Sequence, residues 1–256
     1  MRATIRLLIG LVLLAGLVGT APGAANAGAF SNWTAVVVAG DYRAHSGAPS
    51  EVFDNARRDL AKAFIAKGFS PDHVRQFSVR PERYPQDGVL KSEGPPVLQQ
   101  LRTLTAKAPG GCLLYFTSHG SPEGVIVGAR TWTPNMVASL IEDTCAQRPA
   151  VVIVSACFSG VFVPLLSDPN RMILTAARAD RTSFGCGEAD RYTYFDGCVL
   201  QEIGHAHDFA ALGRSVQACV AQREKETKAT PPSEPQLDIG AALSPMLPLY
   251  AFSSSP

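Results

Sequence analysis

The run Ala150-Val151-Val152-Ile153-Val154-Ser155, followed at once by Ala156-Cys157-Phe158-Ser159-Gly160, decides how this chain is read. Its apolar residues are consecutive, mostly β-branched, and closed by small and polar side chains. A stretch so short, with no polar face, predicts a strand buried on both sides rather than a helix. Strands buried on both sides belong to parallel sheets covered by helices.

Working outward, Cys112–Thr117 (CLLYFT) repeats the pattern and ends at Ser118-His119-Gly120. Trp33–Ala39 (WTAVVVA) is a third such run, ending at Gly40-Asp41. Val74–Val79 and Met172–Ala176 predict further strands, the first of them weaker. Helical spacing fills the intervals. Ser50 can cap a helix over Glu51–Lys67, with Val52, Leu60, Ala63 and Phe64 on one face and Gly68 as its stop. Leu98, Leu101 and Leu104 share a face over 97–106, and Pro134 opens a helix reaching about Gln147. Two more helices are predicted at 199–205 and 209–226. The stretch 80–96, rich in Pro and Gly, reads as loop, and 125–127 with 130–133 as a small hairpin. A Pro-rich segment from about residue 230 leads to a last strand or a tail over the cleft. Strands alternating with helices imply an α/β architecture with a mostly parallel sheet between two helical layers. Such sheets bind ligands at the carboxyl ends of their strands.

The N-terminus reads as an address. Arg2 and Arg6 precede Leu7–Val18, an almost purely apolar run of 12 residues. About 20 are needed to span a bilayer. Ala25-Asn26-Ala27 then supplies an A-x-A pattern, so residues 1–27 are expected to be a secretory signal cleaved after Ala27. Residues 28–256 are expected to form one domain, secreted or periplasmic, with no membrane attachment after cleavage. A formal net charge of +1 without any basic block argues against a nucleic-acid partner. Six cysteines are too few for a disulfide scaffold but would sit in a compartment where disulfides persist.

The chemistry is expected at two strand ends. His119 follows one buried strand and Cys157 another. If those strands are neighbours, a thiol and an imidazole share one edge of the sheet, which is the arrangement of a nucleophile with its base. Gly120 leaves its N–H unshielded, and with the N–H of Cys157 it could form an oxyanion hole.

These blocks resemble a known family. Phe116-Thr117-Ser118-His119-Gly120 and Val154-Ser155-Ala156-Cys157-Phe158-Ser159-Gly160 are similar to the two active-site blocks of the legumain-type cysteine peptidases, peptidase family C13 of the caspase-like clan. Val36–Gly40, Thr175-Ala176-Ala177, Ser183–Cys186 and Thr193-Tyr194-Phe195 extend the resemblance over roughly residues 33–200. It implies a caspase-like three-layer α/β/α sandwich with a sheet of about six strands. It implies Cys157 as nucleophile, His119 as general base and acid, Gly120 in the oxyanion hole, and a peptide or protein substrate without a cofactor. The chain departs from the family at its substrate pocket. Ser155 stands where the family has a glutamate, Asp196 is the nearest match to a pocket aspartate, and Arg43, Arg57 and Arg58 all compete for the place of a pocket arginine. Asparagine selectivity therefore does not carry over.

The leading expectation is a cysteine endopeptidase acting through a thioester, which an amine could also intercept to give transpeptidation. The alternative is a caspase-like binding module without catalysis. A thiol-exchange protein would want Cys-x-x-Cys, which is absent. Cys186 with Cys198 encloses a short loop and is the first disulfide expected, whereas Cys112 reads as core. His205-Ala206-His207 looks metal-like, but residues two apart do not share a helix face, so no metal is expected. Glu51, Asp54 and Asp59 read as solvated rather than substrate-binding.

Overall fold

The computed structural model describes residues 28–253, so the expected signal segment lies outside the described residues. In chain order the strands are β1 (Trp33–Ala39), β2 (Val74–Ser78), β3 (Leu90–Lys91), β4 (Gly111–Thr117), β5 (Gly120–Ser121), β6 (Gly124–Val127), β7 (Arg130–Trp132), β8 (Ala150–Ser155), β9 (Arg171–Thr175) and β10 (Gln236–Ile239). The helices are α1 (Val52–Ala66), α2 (Gly94–Lys107), α3 (Pro134–Cys145), α4 (Val163–Leu166), α5 (Tyr194–Glu202) and α6 (Phe209–Thr227). Seven strands form the main sheet in the order β10-β9-β8-β4-β1-β2-β3. All its pairings are parallel except β10 with β9. A three-stranded antiparallel sheet, β5-β6-β7, rises directly from the end of β4.

The all-apolar strands are explained by two cores. Ala35 and Val37, Leu113 and Tyr115, and Val151 and Ile153 face α1, α5 and α6. Their neighbours Val36 and Val38, Leu114 and Phe116, and Val152 and Val154 face α2 and α3. Alternate side chains of a strand point to opposite faces, so both sets must be apolar when both faces are covered. The result is the expected three-layer sandwich. The main sheet exceeds six strands because the segment read as loop over 80–96 contains the two-residue edge strand β3 and also starts α2 early. Pro95 and Pro96 occupy the first turn of α2, where a missing N–H costs nothing.

Chain order reverses direction between β1 and β4. From β1 the chain adds β2 and β3 on one side, then returns to add β4, β8 and β9 on the other. The crevice at such a switch point is where open α/β sheets place ligands. The described part of the C-terminal segment, to residue 253, lies elsewhere. After β10 closes the sheet edge, Tyr250 packs on Trp33 with ring centroids 5.0 Å apart, and Phe252 on Phe209 at 4.9 Å. Trp33 is the first residue of β1, so this aromatic cluster lies at the amino end of the strands, opposite His119 and Cys157.

The expected Cys186–Cys198 bridge is overturned. Cys198 on α5 is bonded to Cys219 on α6, and Cys112 on β4 to Cys145 at the end of α3. Cys157 and Cys186 are free. Two packed helices bring Cys198 to Cys219, a juxtaposition that loop length does not reveal. Each bridge ties one helical layer internally or to the sheet. Closing the 21-residue separation between Cys198 and Cys219 restricts the unfolded chain by roughly 3 kcal/mol. Replacing both by alanine should lower unfolding stability in urea by about that amount, whereas Cys186→Ala should leave it nearly unchanged. In the unreduced, denatured protein iodoacetamide should label only Cys157 and Cys186.

Candidate active site

β4 and β8 pair in parallel with Thr117 opposite Ser155, and Ser118 N–H continues the ladder to the Ser155 carbonyl at 3.0 Å. His119 and Cys157 each come two residues after these partners, so matched register delivers both to the same sheet edge. Gly120 runs against the backbone of Cys157. A Cβ on Gly120 would stand 2.2 Å from the Cys157 carbonyl oxygen and 3.0 Å from the Ala156 Cβ. No other residue fits there without moving one of the two segments.

The turn carrying Cys157 is held from behind. Phe158 has φ of 57°, a left-handed conformation that costs a non-glycine residue of order 1 kcal/mol. Its N–H donates to the Arg181 carbonyl at 2.7 Å, which secures the turn. Ser159 Oγ accepts from the Ala177 N–H at 3.1 Å, and a Cβ on Gly160 would meet the Ala179 nitrogen at 2.4 Å. The Ser-Gly pair after the cysteine is therefore the docking surface for residues 177–179.

Cys157 Sγ, partly exposed, accepts from the Ser183 N–H at 3.3 Å and lies 3.6 Å from Ser183 Oγ. Cys157 Sγ also lies 3.7 Å from the Ser183 carbonyl oxygen, which can accept its S–H, so Ser183 meets the sulfur through its N–H, hydroxyl and carbonyl alike. His119 is packed edge-on against Phe53 of α1 at 5.0 Å, and its Nε2 lies 2.9 Å from the Arg43 carbonyl. A carbonyl oxygen only accepts, so Nε2 carries the proton of the neutral ring and Nδ1 keeps the free lone pair. The loop supplying that carbonyl is itself fixed. Asp41 Oδ1 accepts from the N–H groups of Tyr42 and Arg43, and the Ser50 N–H donates to the Tyr42 carbonyl at 2.8 Å.

The residues expected to line the substrate pocket are placed differently. Ser155 is 1% exposed and shares a hydrogen bond with Thr193 Oγ1 at 3.3 Å. Asp196, in the first turn of α5, is fully buried. It accepts from Tyr115 Oη at 2.7 Å and Thr117 Oγ1 at 2.6 Å. Burial pushes its carboxyl up, while the hydroxyls of Thr117, Tyr115, Ser155 and Thr193 pull the other way. Neither residue has surface to offer a substrate; together they brace the ends of β4 and β8. Arg57 is wholly buried among Asp54 at 3.1 Å, Gln76 at 2.6 Å and the Tyr84 ring. Asp54 is buried with it rather than solvated. Arg58 pairs with the adjacent Asp59 at 3.0 Å. Arg43 lies on the site's loop, but its guanidinium turns to Asp41 at 3.4 Å and the Tyr42 ring, and only its carbonyl meets His119. A pocket of about 410 Å³ beside the thiol is lined instead by Ser183, Phe184, Cys186 and Asp190, with His45 at its rim. Sequence reading gave Asp41, Phe53 and Asp190 no role in the site, used Ser183 only as a motif letter, and read Cys186 as a motif letter and disulfide partner rather than as pocket lining.

Comparison with known proteins agrees with this geometry. The profile described as Peptidase C13 family matches residues 33–224, and the chain belongs to that family. No curated protein matches the chain. Among solved structures, caspase-1 from Spodoptera frugiperda is similar in fold, with a TM-score of 0.58 at 16% identity over 84% of this chain and 88% of that one. The fold is thus caspase-like, as the motifs implied.

Two outcomes follow. Asp196→Ala strands the Tyr115 and Thr117 hydroxyls and should lower stability by about 2 kcal/mol in urea unfolding. The proton balance has a definite sign. A carboxyl raised in the folded state binds its proton more tightly there, so its contribution is fully favourable below the unfolded value of 3.8 and is lost as pH rises through the folded value. The stability of wild type minus that of Asp196→Asn should therefore fall as pH is raised from 4 to 7.

Proposed function

We propose that this chain is a secreted cysteine endopeptidase in which Cys157 and His119 form the catalytic dyad. The observation that carries the reading is the shared register: a free thiol and an imidazole follow, at equal offset, two neighbouring parallel strands. Family membership supports the reaction class. His119 Nδ1 takes the proton of the Cys157 thiol, the thiolate attacks a peptide carbonyl, and the carbonyl oxygen becomes an oxyanion facing the N–H groups of Gly120 and Cys157. The scissile C–N bond breaks as His119, through Nδ1, protonates the leaving amine. Water, deprotonated by the same nitrogen, then cleaves the thioester and restores the thiol. Cys157 Sγ hydrogen-bonds to Ser183 and not to His119 in this structure, and contacts of this kind commonly tighten only with substrate bound. An amine acceptor replacing water would give transpeptidation by the same acyl-enzyme.

Export by the residues 1–27 signal is part of the proposal. Two disulfides among the described residues suit an oxidising compartment. Mass spectrometry of the exported protein should place its N-terminus at Gly28.

The decisive test is alkylation of Cys157 by iodoacetamide as a function of pH, with disulfides intact. Reaction well below pH 8, slowed at least tenfold by His119→Ala, is expected. Peptidase activity should vanish in Cys157→Ala. Gly120→Ala should lower kcat/KM by about 10²-fold with the fold intact, because it displaces the nucleophile's backbone. A Cys157 rate indifferent to His119 would overturn the dyad and favour a binding module.

A further inference from the structure

The pocket beside the thiol has one feature that the dyad does not use. Asp190 lines it together with Cys157, Ser183 and Cys186. The Asp190 Oδ2 accepts the Gly187 N–H at 2.7 Å, which orients the carboxylate within the loop. No arginine, lysine or histidine nitrogen lies within 4 Å of it among the described residues. Arg43 is turned to Asp41, Arg191 to Asp59, and Arg181 to Asp180. The field of Asp190 reaches the pocket wall. Burial, then the nearby Cys157 and Asp190 charges, push the Cys186 thiol up to about 11, so that wall stays neutral at physiological pH. His45 is the one titratable nitrogen at this opening, and it is exposed.

We infer that Asp190 makes this the specificity pocket for a cationic side chain, so that the enzyme cleaves after arginine or lysine. The inference rests on the peptidase reading above and names its substrate class. A residue whose carbonyl is presented to Cys157 projects its side chain into the adjoining cavity. A volume of about 410 Å³ lies in the range of small-ligand clefts, roughly 300–1,000 Å³. An oriented carboxylate without a counter-ion is satisfied by an ammonium or guanidinium group, and arginine can engage it with two parallel hydrogen bonds. The same charge opposes aspartate or glutamate in that position and gives an uncharged leucine no compensation for desolvating it.

The test measures Cys157 modification by peptidyl chloromethyl ketones that differ only in their last residue: arginine, lysine, asparagine, aspartate or leucine. The thiolate displaces chloride to form a stable thioether, read by intact mass, so turnover is not required. Arginine and lysine reagents should react at least about 30-fold faster than the leucine reagent. In Asp190→Asn, which keeps an oxygen to accept the Gly187 N–H, that advantage should shrink to a few-fold. Each peptidyl rate is divided by the iodoacetamide rate of the same protein, so that any change in Cys157 reactivity on removing the nearby charge cancels. Equal or faster reaction of the asparagine, aspartate or leucine reagent overturns the assignment. So does an arginine preference that survives Asp190→Asn, or inertness to every peptidyl reagent while iodoacetamide still reacts. Loss of His119-dependent iodoacetamide reactivity would instead mark failure of the peptidase reading itself.

Discussion

Parallel pairing of β4 with β8, Thr117 opposite Ser155, is the constraint on which the site depends. Parallel strands in register bring residues of equal offset out together, and a slip of one residue would turn either functional side chain to the opposite face. The main-chain ladder alone would let the strand ends fray. They are instead tied to α5. Tyr115 and Thr117 of β4 donate to Asp196, and Ser155 of β8 reaches Thr193, whose own Oγ1 caps α5 by accepting the Asp196 N–H at 3.0 Å. Burying a carboxylate is costly, and its hydroxyl partners together with the positive end of α5 offset part of that cost. What remains is a polar brace directly beneath the functional edge.

Close backbone approach is the second constraint, and it accounts for the letters around the two functional residues. The glycine after His119 exists because the Cys157 carbonyl occupies the place of its side chain. The serine and glycine after Cys157 exist because residues 177–179 dock there. Gly40, at the end of β1, is under the same pressure: a Cβ would lie 2.0 Å from the Ile126 carbonyl oxygen of the hairpin. These positions are packing requirements of the site's own edge.

Most of the fold was legible because a strand buried on both faces has an unmistakable composition, and β1, β4 and β8 all have it. Helix boundaries followed from Pro134, Gly68 and apolar spacing. His119 and Cys157 drew attention as candidates because each sits immediately past such a strand. What escaped depends on orientation rather than order. Ser155 and Asp196 were rightly placed near the site by resemblance, but only the three-dimensional arrangement turns them inward, away from substrate. Cys198 met Cys219 because α5 lies on α6, which no loop length encodes. Arg57 was an open candidate for binding because arginines are rarely buried; Asp54, Gln76 and Tyr84 together make the exception. β3 was hidden within a Pro- and Gly-rich stretch because two residues are too few to show a period.

Three aspartates around this edge show how environment divides one chemical group among three tasks. Asp41 spends its acceptor capacity on the backbone of the 41–50 loop, and so presents the Arg43 carbonyl that selects the His119 tautomer. Asp196 is enclosed by hydroxyls, and its effect is mechanical because no solvent or ligand can reach it. Asp190 accepts one backbone N–H, is half-buried, and lines the pocket beside the thiol. A carboxylate already satisfied by internal donors has little attraction left for a ligand, whereas one with free lone pairs in a half-enclosed cleft keeps nearly all of it. Proximity to the nucleophile is therefore a poor guide to which acid selects substrate. The count of unfilled acceptor sites distinguishes them, and by that measure the three carboxylates are not equivalent: two build the site and one is left to read what enters it.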